Sequence, residues 1–153
     1  MNWIHHATFD SISTLELYEI LKLRQDVFII EQDCIYKDID NLDQASEHLV
    51  LKEHNIVAAY ARIVPANVKY KEYSIGRIVV NPAYRGRGLG KGIVLKSLEL
   101  LKQRQLSVVR IEAQAHLRKF YHELGFKDTG EVYELDGIPH IEMLYRLIKN
   151  SRN

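Results

Sequence analysis

A chain with one cysteine cannot close an internal disulfide, and Cys34 is the only cysteine in these 153 residues. Stability must then come from a packed core, and a reducing compartment, the cytoplasm, is the expected setting. An excess of one charge is missing too: the formal net charge is +1, which leaves no general electrostatic footprint for nucleic acid. No apolar run approaches the roughly 20 residues that a membrane-spanning helix needs. The opening MNWIHHATFD also lacks the cationic and apolar regions of a secretory leader. Neither a nucleic-acid nor a membrane partner is therefore expected. The seven histidines form no H-E-x-x-H pair and no Cys/His cluster, so no metal is implied. Repeats, charge blocks and low-complexity tracts are absent, while 46% hydrophobic and 27% charged residues match a globular protein. One domain spanning 1–153 is expected, with only the polar KNSRN at 149–153 unstructured.

What is present is a regular succession of periodic segments. Residues 3–9 read as a strand and 10–32 as a long helix, opened by a Ser13-x-x-Glu16 capping box. Leu17, Leu21, Arg24 and Phe28 recur along one side of that helix, with Ile20, Leu23 and Val27 beside them. The acidic segment 33–46 has no clean period and reads as a loop, with room for a short helical turn. Strands follow at 48–53 and 56–64, joined at His54-Asn55, and again at 73–80. An apolar stripe of Leu89, Ile93, Val94, Leu98 and Leu101 predicts a helix from 89 to about 104. Residues 107–114 read as a strand and 116–126 as a short helix closed by Gly125. Two last strands, 126–134 and 138–147, are joined across Leu135-Asp136-Gly137, a strong hairpin signal. Hairpins with single helices between them predict an α+β fold. Its sheet is mixed and mainly antiparallel, of about seven strands flanked by helices.

Glycine is concentrated at one place, NPAYRGRGLGKG at 81–92, directly before the second helix. Backbone N–H groups at the start of a helix attract anions, and Arg85, Arg87 and Lys91 add charge-assisted contacts, so a diphosphate is the natural guest. The bland alternative is a solvated turn without a ligand. A Walker loop is excluded because Gly92, not Ser or Thr, follows Lys91, and G-x-G-x-x-G fits no register of Gly86, Gly88 and Gly90.

The register that fits is R-x-x-G-x-G, written by Arg85, Gly88 and Gly90 after the strand GRIVV. Here the sequence resembles the GNAT superfamily of acyl-CoA-dependent N-acetyltransferases, whose pyrophosphate loop carries that spacing. HLRKFYHELGFKDTG at 116–130 is similar to the family's other signature, a helix with Phe-Tyr that ends in Gly-Phe. RQDVFIIEQ at 24–32, CIYKDID at 34–40, AQAHL at 113–117 and DGIPHI at 136–141 narrow the resemblance to the ElaA-like branch.

The resemblance implies acetyl transfer to a primary amine within a ternary complex, with acetyl-CoA as donor and no metal. Ile78, Val79 and Val80 would pair with pantetheine like an added strand, with Val80 supplying an oxyanion N–H. Arg85, Gly86, Arg87, Gly88, Leu89, Gly90 and Lys91 would hold the pyrophosphate. Tyr121 falls where the family carries its general acid. Gln114 stands where many relatives have a pantetheine-binding asparagine. The fourth-strand glutamate base of some relatives has no counterpart in Ser74–Val80, which motivates a second reading as a non-catalytic CoA-binding module. Glu31, Gln32 and His140 are candidates for the acceptor wall. Glu112 and His116 also compete as base, each against a purely structural role. Asp33, Asp38, Asp40 and Asp43 read either as a solvated loop or as an acidic lip for a cationic amine, and lack the glycine of a calcium loop. The acceptor carries no sequence code, and a homodimer is neither signalled nor excluded.

Overall fold

The computed structural model describes residues 1–147, so the tail expected to be unstructured, 149–153, lies outside the described residues. Strand β1 (Asn2–His6) leads through a single turn of tight helix into α1 (Thr14–Arg24). Ser13 caps α1 by accepting a hydrogen bond from the Glu16 N–H at 3.1 Å. Only this half of the capping box forms, because the Glu16 carboxylate turns to His6 and to Lys52, 2.9 Å away. The expected long helix continues past Arg24, but as a wider π-helical segment over Gln25–Glu31.

The central hairpin, β2 (Glu47–Glu53) and β3 (Ile56–Val64), and strand β4 (Tyr73–Val80) fall within a residue of expectation. Helix α2 (Leu89–Lys102), strand β5 (Val108–Gln114) and helix α3 (Arg118–Glu123) follow. The expected strand over 126–134 is broken into β6 (Lys127–Asp128) and β7 (Tyr133–Leu135), both pairing with β8 (Ile138–Arg146). The break is local, since the Thr129 N–H and hydroxyl both turn to the Glu142 carbonyl. Among the described residues the result is one eight-stranded sheet in the order β1-β2-β3-β4-β5-β8-β6, with β7 also on β8.

Alternation along the strands divides the core. Leu49, Leu51, Ala59, Ala61 and Ile63 face Ile93, Val94, Leu98 and Leu101 of α2. Val50 and Tyr60, of opposite parity, pack with Ile20, Leu23 and Val27 from the first helix. Strand β3 is thus buried on both faces, which explains its apolar run, interrupted at Arg62.

Strand β4 is irregular along both of its edges. Among the described residues only β4 and β5 run parallel, and they pair at just two positions, Tyr73↔Val109 and Ser74↔Arg110. Beyond these the strands separate, splitting the sheet from one end. On the other side of β4 the register moves from Tyr60↔Val79 to Arg62↔Gly76, so two residues, Arg77 and Ile78, oppose Ala61 alone. This is a β-bulge, and Arg77 adopts φ 49°, a left-handed conformation unusual for a side-chain-bearing residue.

Candidate functional site

Of the four aspartates expected either on a solvated loop or as an acidic lip, only Asp33 is exposed. Asp38 and Asp43 are buried, and with Asp40 they clasp three arginines drawn from the first helix, β3 and β4. Arg24 donates to Asp38 at 2.9 Å and to Asp43 at 2.8 Å. Arg62 donates to Asp40 through both terminal nitrogens at 2.8 Å. Arg77 reaches Asp38 at 2.8 Å and the Asp40 carboxylate at 3.1 Å, with its guanidinium 5.4 Å from the Tyr36 ring. Three positive and three negative charges cancel in this cluster. Burial works against the Asp40 carboxylate, and the Arg62 hydrogen bonds override it, holding the carboxyl well below its usual range. The carboxylates are thus committed to arginines of the protein itself. By tethering Arg77, the cluster also holds the bulge of β4.

The divergence of β4 from β5 opens a cavity of about 520 Å³, lined by residues of both strands, by Gln32, Tyr36, Lys69 and Tyr70, and by Tyr121. Ile78 lies on its wall. The Asn81 N–H donates to the Ala58 carbonyl of β3 at 2.8 Å. Alternation of strand hydrogen bonds then turns the Val80 N–H the other way, toward the open side of β4. Tyr121 is buried, packed edge-on against Phe120 and Phe126, and makes no side-chain hydrogen bond among the described residues. Burial pushes its hydroxyl up to about 12, so the proton stays on.

Gln114 and Gln32 meet across the cavity, the Gln114 amide donating to the Gln32 side-chain oxygen at 3.0 Å. His140 lies opposite Gln114 on β8 and also lines the cavity, with Nδ1 donating to the Ile138 carbonyl at 2.7 Å. Glu31 is placed differently from the acceptor wall expected of it. At the end of the π-helical segment it takes two hydrogen bonds from Arg85, at 2.6 and 2.9 Å, and it is absent from the cavity lining. The Arg85 hydrogen bonds lower the Glu31 carboxyl.

Between β4 and α2 the chain makes one tight turn over Pro82–Tyr84, capped by the Asn81 side chain, which accepts from the Ala83 N–H at 3.0 Å. Gly86 and Gly88 then take φ 81° and 75°, the left-handed conformation that glycine adopts without strain. Gly90 and Gly92 have ordinary helical backbones inside α2, so conformational need accounts for only two of the four glycines. Gly88 is the N-cap and brings no side chain, which leaves the N–H groups of Leu89, Gly90 and Lys91 without intrahelical acceptors. A Cβ at Gly86 or Gly88 would meet no protein atom within 4 Å, so open space faces this end of the helix. Arg87 lies over the Tyr84 ring at 5.1 Å, and Lys91 is exposed on the first turn.

A split between parallel neighbours, a bulged fourth strand and an uncapped helix start form one arrangement. The model of the acetyltransferase (GNAT) domain matches residues 17–147. The chain belongs to the GNAT acetyltransferase family. Within the family it is similar to protein ElaA of Escherichia coli, 38% identical with 95% of both chains covered. It is likewise similar to the UPF0039 protein sll0451 of Synechocystis, 40% identical over 99% of both chains. The solved structure of Escherichia coli ElaA superposes with a TM-score of 0.86 over 95% of this chain and 99% of that one, at 36% identity. An acyl-CoA N-acyltransferase from Pseudomonas aeruginosa gives 0.88 at 35% identity, covering 94% of this chain and 98% of that one.

Two features of this GNAT site were invisible in the sequence. The bulge at Arg77 has no local signature, because arginine is not a residue that announces positive φ. Glu112 gave no sign of its surroundings: it projects from β5 with Gln114, accepts a hydrogen bond from the Tyr133 hydroxyl, and stands 3.6 Å from the Lys69 ammonium. The only available signal was parity, since Glu112 and Gln114 are two apart on a strand and must share a face. His116, the remaining candidate base, is exposed at the mouth of the cavity.

Proposed function

We propose that this chain is an N-acetyltransferase that takes acetyl-CoA as donor and passes the acetyl group directly to a primary amine. The observation that carries the proposal is the cavity where β4 and β5 part, together with a helix start with free N–H groups that follows β4 in the chain. Pantetheine fits the gap as an added strand along Ile78, Val79 and Val80, with the Gln114 amide on the facing strand. Its pyrophosphate falls to the segment Arg85–Lys91, where Gly86 and Gly88 allow close backbone approach and the α2 dipole favours negative charge. Arg85 is held by a carboxylate that is itself solvent-exposed, so the diphosphate exchanges one anion for another at modest cost.

The chemistry has three requirements. An alkyl amine, with a pKa of about 10.4, must lose a proton before it attacks the thioester carbon. The oxyanion that then develops is met by the Val80 N–H, a fixed donor that needs no reorganisation. The departing thiolate needs a proton, and Tyr121 on the cavity wall keeps one available. Gln32 and His140 line the acceptor side. Glu31 supports Arg85 and does not contact the amine.

The test is CoA release by the full chain over a panel of polyamines, amino acids, aminoglycosides and peptide N-termini, with products identified by mass. Acetyl-CoA binding without thiol release on any amine, unchanged by Tyr121→Phe, would leave the non-catalytic CoA-binding module as the correct reading. Failure of acetyl-CoA to bind in calorimetry would remove both.

A further inference from the structure

The acceptor side of the cavity already contains an amine. Lys69 sits in the connection between β3 and β4 and lines the cavity with Tyr121 and Gln114. Its ammonium is 3.6 Å from Glu112 Oε1 and 5.4 Å from the centre of the Tyr70 ring, the placement of a cation between a carboxylate and an aromatic face. The side chain is 31% exposed, so it is sheltered without being sealed in. No aspartate or glutamate other than Glu112 forms an ion pair with it among the described residues. Glu112 is likewise free of any arginine among those residues, whereas its neighbour on β5 is matched, Arg110 to Glu72 at 3.0 Å through two nitrogens.

We infer that Lys69 is a site of self-acetylation, with Glu112 as the base that frees its amine. The inference rests on the acetyl-CoA reading above and adds a modification site to it. Glu112 and Gln114 lie two residues apart on one face of β5, a spacing of about 7 Å, and Gln114 flanks the gap assigned to pantetheine. A lysine resting against Glu112 is therefore one side-chain swing from the thioester. In the step, the Lys69 ammonium gives a proton to Glu112, which passes it to solvent. The nitrogen lone pair attacks the thioester carbonyl carbon. As the C–S bond breaks, its electron pair leaves with sulfur, the attacking nitrogen loses a further proton to Glu112, and the thiolate takes a proton from Tyr121. Solvent then takes the second proton from Glu112 and restores the Tyr121 proton. The products are N-acetyl-Lys69 and CoA thiol, with no other reagent consumed. Burial lowers the Lys69 amine below its usual range, although Glu112 opposes the shift, and this raises the fraction able to attack.

The experiment incubates the purified full chain with acetyl-CoA and no added amine, then follows acetylation by intact mass and assigns sites by peptide mapping. Lys69 should be modified well before the exposed lysines, with one equivalent of CoA thiol released. Glu112→Gln, of the same shape, should slow modification of Lys69 about a hundredfold, the lower range for a positioned general base. It should leave the slow reaction of Lys119 unaltered. Lys69→Arg should abolish the fast phase. Acetylation of Lys69 at the pace of surface lysines, or a Glu112→Gln rate equal to that of the parent, overturns the inference. Calorimetry with acetyl-CoA on the same samples separates the two levels: binding without modification removes only this inference, and no binding removes the donor assignment with it.

Discussion

Tyr121 and Asp40 are withdrawn from water for opposite ends. The Tyr121 side chain is buried along the cavity wall and holds its proton with a pKa raised to about 12. It therefore remains an acid across the range in which the protein is assayed. Tyr121→Phe should lower kcat about a hundredfold, within the span of a lost general acid, with little change in acetyl-CoA affinity. The kcat profile of the parent should show no alkaline limb from this group below about pH 10. Asp40, by contrast, is half-buried and yet held ionised. Its folded pKa lies below the unfolded value of about 3.9, so its stabilisation is fully present above that value and is lost as pH falls toward the folded one. Asp40→Asn should cost about 3 kcal/mol in urea unfolding at pH 7, because Arg62 is left buried with half its partners. The variant's acid limb, measured by Tm below pH 5, should be correspondingly shallower. Sequence showed that these acidic residues were present in 33–46 but not where their partners lay, since Arg24, Arg62 and Arg77 arrive from three other elements.

At the scale of elements, periodicity located the structure where one face is buried and failed where geometry is set by contact. Helix α2 and strand β3 were legible because their apolar residues repeat at 3.6 or run on with one interruption, at Arg62. The passage from α-helix to π-helix after Arg24 was not, because the same apolar residues satisfy both windings. In the glycine loop the sequence distinguished a phosphate register but not the separate duties of its glycines. Gly88→Val places a branched side chain at φ 75° and in the open space before α2. It should cost about 1–2 kcal/mol of stability and weaken acetyl-CoA binding by far more than that loss explains. Gly90→Ala lies in an ordinary helical conformation, and its Cβ would first meet Val80 Cγ2 at a comfortable 3.8 Å. It should stabilise the fold by up to about 1 kcal/mol while retaining CoA binding. Paired calorimetry and thermal melts on the two variants check this, and equal effects at both positions would mean that the loop is a simple solvated turn.

For the molecule as a whole, the decisive feature is that its sheet is joined across the middle by only two residue pairs. Strands β1 to β4 form one unit of backbone pairing and β5 to β8 another, with α2 and the shared core bridging them. A ligand inserted between β4 and β5 supplies contacts to both units where neither has a strand partner. Acetyl-CoA at a hundred times its Kd should stabilise the chain by about 2.7 kcal/mol through mass action, a rise in Tm of several degrees. Where protection appears is the sharper test. Hydrogen exchange should slow at the facing edges, 78–80 and 112–114, and at the start of α2, 88–91, while the β1–β2 pairing far from the gap is little altered. ATP at the same concentration shares the phosphates but not the pantetheine arm. It should protect 88–91 alone, and protection of all three segments by ATP would overturn the assignment of the gap to pantetheine.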